Sequence, residues 1–253
     1  PEPSIKGKEM GELTFKMQMR GGNGSEPDWV KIAKRCGHSI NDATSLTTVC
    51  DGAASAGQVT LDSVAGLTAG ASALLFTDGT NFAIRGVERI NSSTVDEFPH
   101  FDDYTPGDGD TVVGIYAMVP SAGAPAKYFT FHVYRGDGAS TTKYVLSGCS
   151  GTVKLGATEV GALPYVEFSM QVDNWTVSAP GSGLALEDDA GPDAYPLLGS
   201  SMIVDDADYC VGSIEWDQGA DMVEFVCQSG SQGRAGWLHK TPVPVMSVSS
   251  YAD

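Results

Sequence analysis

Two segments of the chain alternate between apolar and polar residues, which is the pattern of a half-buried β-strand. The first runs from Glu12 to Arg20 and the second from Leu163 to Val172. In the first segment, the apolar positions are Leu13, Phe15, Met17 and Met19. In the second segment, the more polar face holds Tyr165, Glu167, Ser169 and Gln171. We predict two strands, each with one face for a core and one face for water.

A longer strand is predicted from Tyr144 to Leu155, just before the second of these segments. It is interrupted at residues 147–151, where Gly148, Gly151 and small neighbours favour a bulge or a sharp bend. Residues 156–162, with a glycine near each end, would then turn the chain into the next strand. The same alternation predicts further strands at residues 112–118, 127–135, 201–204, 210–216, 222–226 and 243–248.

One short amphipathic helix is predicted after the first strand. Ser25 is placed to cap it, Pro27 falls in its first turn and Gly37 ends it. The face of this helix that would be buried carries Trp29, Ile32, Ala33 and Cys36. The chain is therefore expected to be mainly β with one flanking helix.

Residues 50–113 have a different rhythm, with short apolar runs separated by closely spaced turn signals. We predict strands at 59–61, 73–76, 82–85 and 87–90, and a two-residue hairpin turn at Asp78-Gly79. The pattern is typical of a small β-barrel-like module. We expect it to be inserted into a larger domain that comprises residues 1–49 and 114–253.

The long strand and its successor carry a motif that resembles the tail tube proteins (major tail proteins) of long-tailed bacteriophages. The order is L-x-G-C-x-G-T-V, a glycine-rich connection, and then G-x-L-P-x-x-E-F-S. The positions that carry the resemblance most specifically are Gly148, Cys149, Gly151, Thr152, Pro164 and Phe168. The segment P-x-W…C-G around the helix and V-x-S-I-E-W-D-x-G near the end also look like that family. Residues 50–113 have no counterpart in the resemblance.

The resemblance implies a β-sandwich or barrel fold whose subunits form hexameric rings around a continuous β-barrel lumen. Such rings stack along a tape-measure protein, with tail terminator and tail-tip proteins at the ends, and DNA later passes through the bore. The protein would then belong to the virion tail and would be assembled in the bacterial host cytoplasm. The two alternating strands are the candidates for the barrel, with Leu13, Phe15, Met17, Met19, Tyr165, Glu167, Ser169 and Gln171 as the candidate positions.

The charge distribution agrees with a conduit rather than a nucleic-acid binder. The formal net charge is −17, and residues 155–233 contain fourteen acids but no Lys or Arg. Stable DNA binding depends on clustered Lys and Arg, so DNA would pass without adhering to an acidic wall. The start of the chain is mildly basic, and we expect Lys6 and Lys8 to meet Asp205 and Asp206 between stacked rings. A surface that merely aids solubility explains the acids equally well.

Other functions have weaker support in the sequence. Four scattered histidines and no G-x-S-x-G, H-E-x-x-H or P-loop motif disfavour an enzyme, and no cofactor is indicated. Asp102, Asp103, Asp108 and Asp110 lack the spacing of a known calcium loop. A glycan-binding or adhesive β-sandwich is the alternative, because four tryptophans could stack on sugars.

Cysteine usage and the ends of the sequence bear on the compartment. Five widely spaced cysteines without a C-x-x-C motif predict buried free thiols rather than disulfides or a zinc site. No apolar run has membrane-spanning length. The first residue is Pro1 and the last segment is strand-like, so we expect the sequence to be a piece of a longer chain.

Overall fold

The structure is a computed structural model. It describes residues 11–20, 26–55, 57–98, 104–120, 128–135, 142–178, 196, 201–204, 207–226 and 234–251. As predicted, the described part of the chain is mainly β, with one short helix and antiparallel sheets. In chain order the elements are β1 (Gly11–Gln18), α1 (Asp28–Ala33), β2 (His38–Asp42), β3 (Thr47–Val49), β4 (Gln58–Thr60), β5 (Ala73–Thr77), β6 (Phe82–Asn91), β7 (Thr94–Phe98), β8 (Thr111–Pro120), β9 (Phe129–Arg135), β10 (Thr142–Ala157), β11 (Tyr165–Val172), β12 (Asn174–Ser178), β13 (Ser201–Val204), β14 (Ala207–Asp217), β15 (Met222–Val226), β16 (Arg234–His239) and β17 (Val245–Tyr251).

The chain divides into two compact units. Unit 1 comprises Pro1–Gly37, Ser121–Val204 and Asp208–Asp253, and unit 2 comprises His38–Pro120 with Asp205–Ala207. Unit 2 is wider than the 50–113 segment that the turn signals mark. It extends to His38 because β2 pairs antiparallel with the second half of β8, where His38 lies opposite Pro120.

Unit 1 contains an eight-stranded antiparallel sheet and a two-stranded hairpin, β15–β16. The main path of the large sheet is β1-β11-β10-β14-β13, with β9 and β12 paired to β10 and β17 paired to β14. Alternation sets its two faces. In β11 every second residue is buried, so Val166, Phe168, Met170 and Val172 face the core. Apolar rings from β1 and β9 pack against them, with the ring centroids of Phe15 and Phe168 5.3 Å apart and those of Phe15 and Phe131 5.4 Å apart.

Strand β10 lies at the centre of this sheet and pairs with different strands along its length. Its first part pairs with β9 and β12, and its second part pairs with β11 and β14. The pairing with β9 shifts register between Leu146 and Cys149, where Gly148 has a φ of +67°. This register shift is the predicted bulge. Gly148 suits it, because glycine adopts a positive φ without the steric strain that a side chain would cause.

The helix α1 is present but shorter than the pattern indicated. Pro27 occupies the N-cap position, and no side chain caps the first turn. The predicted cap, Ser25, lies outside the described residues. Val30, Ala33 and Cys36 are the buried residues of this segment, whereas Trp29 and Ile32 are half-buried. Trp29 uses its indole Nε1 to donate a hydrogen bond to the Arg20 carbonyl over 3.1 Å.

Unit 2 is a seven-stranded antiparallel sheet of order β2-β8-β5-β6-β7-β4, with β3 also paired to β8. Its core is one contiguous cluster made of Leu46, Cys50, Val59, Leu61, Leu74, Phe76, Ala83, Val87, Val95 and Val112. Burial of this much apolar surface explains why the segment forms a compact unit.

Two details of unit 2 correct the sequence interpretation. The strands predicted at 82–85 and 87–90 are one ten-residue strand, β6, which passes through Gly86 and carries a bulge between Val87 and Arg89. The hairpin at Asp78-Gly79 has a four-residue connection, because the last pair of β5 and β6 is Thr77 opposite Phe82. The Asp78 carboxylate closes this loop by accepting hydrogen bonds from the Thr80 and Asn81 amides, each 2.7 Å long.

One glycine-rich stretch is partly strand. Residues 230–238 include Gly230, Gly233 and Gly236, a composition typical of a loop, yet β16 pairs with β15 from Arg234 onwards. Gly236 has a φ of +142°, and Trp237 beside it is buried. The Tyr128 hydroxyl accepts a hydrogen bond from the Trp237 amide (2.9 Å), which ties β16 to the start of β9.

Candidate functional site

The main candidate site is the polar face of the unit 1 sheet, where strands β1, β11, β10, β14 and β17 lie side by side. The register aligns their outward side chains in rows across the sheet. One row contains Lys16, Glu167, Lys154, Asp217 and Val245, and the next contains Gln18, Tyr165, Gly156, Glu215 and Ser247. A third row begins with Thr14 opposite Ser169, whose hydroxyl oxygens are 3.2 Å apart. We call this surface the polar face.

The charges of the polar face are paired across strands. Lys16 Nζ lies 3.0 Å from Glu167 Oε2, and Lys154 Nζ lies 2.8 Å from Glu215 Oε1. The Tyr165 hydroxyl donates to Glu215 over 3.2 Å, and Lys16 lies over the Tyr165 ring at 4.5 Å from its centroid. The hydrogen bond from Lys154 lowers the pKa of Glu215 below its usual value. Cross-strand pairs of this kind fix side-chain positions more than they add stability.

The polar face is mildly acidic. Its cations are Lys16 and Lys154, and its anions are Glu12, Glu167, Glu215 and Asp217. On this face, the described part of the base-free stretch at 155–233 does not present bare carboxylates, because Lys16 of β1 and Lys154 of β10 lie beside the acids of β11 and β14. Acids still outnumber bases here, and such a surface repels rather than binds phosphate.

The positions predicted on the two barrel strands fall on opposite faces of the sheet. Tyr165, Glu167, Ser169 and Gln171 lie on the polar face. Leu13, Phe15 and Met17 lie opposite Met170, Phe168 and Val166 on the apolar face, where they are half-buried. Met19 lies just beyond β1, and its amide donates to the Pro164 carbonyl over 2.9 Å. The residues of β1 that share the polar face are instead Glu12, Thr14, Lys16 and Gln18.

The glycines of the motif have structural roles in the β10–β11 hairpin. A Cβ at Gly148 would collide with the Asp173 side chain, and a Cβ at Gly151 would collide with the backbone of Ser169 and with Met170. Both positions therefore require glycine for close approach of neighbouring strands.

The other motif residues shape the same hairpin. Cys149 and Phe168 are buried, and Cys149 Sγ lies 3.3 Å from the Leu146 carbonyl. Thr152 lies opposite Ser169 on the polar face. Pro164 precedes β11 and, through its carbonyl, holds the end of β1. The motif thus marks the local geometry of the sheet and brings no reactive group together.

Gln218 is a key residue that sequence reasoning missed. Its side chain is 1% exposed and joins three segments of unit 1. Its Oε1 accepts from the Val153 amide over 3.1 Å, and its Nε2 donates to the Cys36 carbonyl over 2.7 Å. In the sequence, the one feature that marks Gln218 is its place directly before a glycine. In the structure, that Gly219 has a φ of +62° and closely approaches the Val243 backbone.

A second buried polar contact lies nearby in unit 1. Ser150 Oγ and His239 Nε2 are 3.0 Å apart, and burial lowers the pKa of His239. A Ser–His contact is one part of a nucleophilic site, but a third orienting group is also needed. His239 Nδ1 has no hydrogen-bond partner in the part of the chain that the structure describes. The pair therefore serves to join β10 to β16.

Two edge strands border the polar face, and both are open. In the described residues, β1 pairs with β11 alone and β17 pairs with β14 alone. Strand β17 is unusually exposed for apolar residues, since Val245 is 54% exposed and Met246 is 58% exposed. An open edge offers a row of unpaired amide and carbonyl groups to another strand.

Several other predicted features can now be placed. Lys6, Lys8, Asp205 and Asp206 lie outside the described residues. Cys36, Cys50 and Cys149 are free and buried as predicted, and burial raises the pKa of the Cys149 thiol to about 11. Cys210 contradicts the prediction, because it is free but exposed on β14. Cys227 is also outside the described residues.

The carboxylates of the acidic loop of unit 2 accept hydrogen bonds from nearby groups of the same unit. Asp110 Oδ2 accepts from the Tyr104 hydroxyl and from the Gly107 amide, both over 2.6 Å. Asp108 Oδ1 accepts from the Gly52 amide over 2.9 Å. Among the described residues, no group of three or more His, Cys, Asp or Glu could hold a metal ion. Asp102 and Asp103 lie outside those residues.

No family model, curated protein or solved structure matches this chain. Its interpretation therefore depends on its own motifs and on the geometry of its sheets. No helix in the described parts of the chain is long and apolar enough to span a membrane.

Proposed function

We propose that this chain is a structural virion protein that assembles into stacked rings and forms the tube of a long-tailed bacteriophage tail. The observation that carries this proposal is the unit 1 sheet, which has one polar face, one apolar face and two open edges. A sheet of this kind is incomplete alone, because among the described residues each edge strand is paired on one side only, and Leu13, Phe15 and Met17 are only half-buried. Neighbouring copies of the same sheet would supply the missing strand partners and would cover these apolar side chains.

The polar face is the surface that suits a channel wall. Its side chains are small or paired, as at Thr14–Ser169 and Lys154–Glu215. Its acids outnumber its bases, and the chain as a whole carries a net charge of −17. DNA phosphates near such a wall would be repelled and would find no lysine or arginine cluster to bind. The genome would therefore slide through the bore, which suits a conduit for DNA ejection.

The motif resemblance supplies the remaining parts of the proposal. It implies rings of six subunits, a tape-measure protein inside the growing tube, and terminator and tip proteins at its ends. The protein would act in the virion tail after assembly in the host cytoplasm, without membrane, cofactor or catalysis. The residues that carry the motif, such as Gly148 and Gly151, shape the hairpin that forms the centre of the polar face.

Microscopy of the purified protein tests this function. Negative-stain images should show hollow rings or tubes, and sedimentation should show a species several times the 26.4 kDa mass of one chain. Monomers at every protein and salt concentration would contradict the proposal. Charge reversal at Lys6 and Lys8, or at Asp205 and Asp206, should change polymer length or salt tolerance if these residues meet between rings.

A glycan-binding protein remains the second candidate because Trp175 on β12 is 44% exposed. Trp237 is buried, and Trp29 and Trp216 are half-buried, so they offer less ring surface to a sugar. The Tyr165 ring on the polar face is covered on one side by Lys16. A glycan array separates the two functions: binding that Trp175→Ala abolishes, by a protein that stays monomeric, would favour the glycan binder.

A further inference from the structure

The two open edges of the polar face run in the same direction. Each neighbouring pair in the series β1, β11, β10, β14 and β17 is antiparallel. Five strands that alternate in direction end as they begin, so β1 and β17 are parallel to each other. Along β1 the rows pass through Lys16 and then Gln18, and along β17 they pass through Val245 and then Ser247. Both strands therefore cross the same rows in the same order.

Strand β17 lacks the features that keep edge strands from pairing. Proteins protect open edges with charged residues, proline, bulges or short strands. The sequence of β17 is VMSVSSY, seven residues without a charge or a proline. The register with β14 is regular from Val245 to Ser249, and its irregularity lies further along, between Val211 and Ser213 of β14. Such a strand is suited to accept a partner.

The faces of the two edge strands also match. On the apolar side of the sheet, β1 presents Leu13, Phe15 and Met17, and β17 presents Met246 and Val248. On the polar side, β1 presents Glu12, Thr14, Lys16 and Gln18, and β17 presents Val245, Ser247 and Ser249. A junction between β1 and β17 would continue both faces, with Val245 as an apolar residue on the polar side. It would also cover Met246, which is 58% exposed.

We propose that β17 of one copy pairs in parallel with β1 of the next copy, head to tail. This inference depends on the proposed function and specifies its ring contact. Each subunit would contribute five strands, and each junction would be a parallel pair within an otherwise antiparallel wall. A two-fold contact would join β1 to β1 or β17 to β17 and would leave the other edge open in both copies. The head-to-tail contact uses both edges and can close into a ring.

Disulfide trapping can read the direction of the junction. We would combine Thr14→Cys, Lys16→Cys or Gln18→Cys with Val245→Cys, Ser247→Cys or Ser249→Cys in the full chain, giving nine double variants. The background would carry Cys210→Ser and Cys227→Ser. Neighbouring strands are about 4.8 Å apart, so residues that face each other are within reach of a disulfide. Far-UV circular dichroism would check that each variant folds.

A parallel junction predicts trapped pairs that share one difference in residue number. If Thr14→Cys traps with Ser247→Cys, then Lys16→Cys must trap with Ser249→Cys, whatever the stagger between subunits. On non-reducing gels these variants should lose the monomer band to a ladder of linked chains. The matched single-cysteine variants should stay monomeric on the gel, because a head-to-tail contact does not bring identical positions together.

Four results would overturn the inference, and they have different consequences for the tube. Pairs with a constant sum of residue numbers would show an antiparallel junction. Dimers of single-cysteine variants would show a two-fold contact. Rings in the microscope without any trapped pair among the nine variants would place the junction on other strands. Each of these leaves the tube proposal standing, whereas a protein that is monomeric throughout would overturn both.

Discussion

Both units of this chain are built from antiparallel strands, but they pack their apolar residues differently. Unit 2 has one contiguous buried cluster, with Leu74, Phe76, Val95 and Val112 fully buried, although Phe82 is 72% exposed and Ile84 is 53% exposed. Unit 1 spreads its strands into a sheet whose apolar face is well covered at β11 but only half-covered at β1. Unit 2 thus has a contiguous core of its own, whereas the apolar face of unit 1 is only partly covered at β1 by the residues that the structure describes.

The two units also differ in their content of basic residues. Of the 15 Lys and Arg residues, Arg85 and Arg89 lie in unit 2 and the rest lie in unit 1. The bases of unit 1 lie next to acids across strands, as in Lys16–Glu167 and Lys154–Glu215. Self-repulsion keeps an acidic module soluble and apart from its copies, whereas mixed charge permits close contact. If the chain assembles as proposed, this difference favours unit 1 as the unit through which copies associate.

The largest effects should come from removing one buried ring in each unit. Phe76→Ala in unit 2 and Phe168→Ala in unit 1 should each cost about 3–5 kcal/mol, because each leaves a cavity in a packed core. All four tryptophans lie in unit 1, so their fluorescence reports that unit, and circular dichroism reports both. Phe168→Ala should shift the fluorescence transition in denaturant, and Phe76→Ala should leave it in place. Equal shifts of that transition by both variants would mean that the units unfold as one.

A somewhat smaller effect is expected at Glu97, a buried acid of unit 2. Its side chain is 0% exposed, and neither carboxylate oxygen has a hydrogen-bond partner among the described residues. Burial raises its pKa to about 8, although the charge of Arg85 acts in the opposite direction. The buried thiol of Cys50 lies close enough for Glu97 to help raise its pKa. Glu97 is therefore neutral in the folded unit at neutral pH.

The pH dependence follows from the direction of this shift. The unfolded chain releases the Glu97 proton near pH 4.5, whereas the folded unit holds it up to about pH 8. The free energy of unfolding should therefore fall as pH rises between these values. Glu97→Gln should remove that slope and stabilise unit 2 by roughly 2–4 kcal/mol at pH 8. Thermal melts followed by circular dichroism would measure it, with Glu88→Gln, at an exposed position of β6, as the control. An unchanged slope in Glu97→Gln would contradict the assignment.

Gln218→Ala should destabilise unit 1 by about 2–3 kcal/mol. The variant leaves the Val153 amide and the Cys36 carbonyl without their buried partner. The tryptophan fluorescence transition should shift to lower denaturant, and Gln18→Ala, on the exposed side of β1, is the matched control. If the two variants behaved alike, Gln218 would not hold the sheet together.

The smallest effect is expected from the ion pairs of the polar face. Glu215→Gln removes the contact with Lys154, and solvent around both groups should leave the unfolding midpoint of unit 1 almost unchanged. A double-mutant cycle with Lys154→Met would isolate the pair. If the chain assembles as proposed, Glu215→Gln should change that assembly instead, because the paired charges set the electrostatic potential of the polar face. A large change in monomer stability would mean that the polar face supports the fold itself.

Strict alternation is what made the large strands predictable. It gave β1, β9 and β11 to within two residues at each end, because successive residues of each strand alternate between a more buried and a more exposed face. The bulge in β10 was also readable, since Gly148 and Gly151 stand where neighbouring strands approach most closely. Short strands such as β2, β3 and β12 were missed, because three to five residues cannot establish a period.

The candidate site could be predicted only in part. Alternation identified the polar and apolar sides of both β1 and β11, but it did not show that these strands are neighbours, because register between distant strands is not written in either strand. The open edges and the shared direction of β1 and β17 depend on strand order, which local pattern does not specify. Gln218 escaped notice because its partners, Cys36 and Val153, are far away in the sequence.

The long separation between β1 and β11 has a consequence for synthesis on the ribosome. Thr14 and its partner Ser169 are 155 residues apart. At about 5–20 residues per second, β1 waits roughly 8–30 seconds before β11 emerges. The His38–Pro120 part of unit 2, which holds all of its strands, is translated within that interval. We therefore expect the nascent chain to complete its inserted module first, while Leu13, Phe15 and Met17 remain uncovered and available to a chaperone.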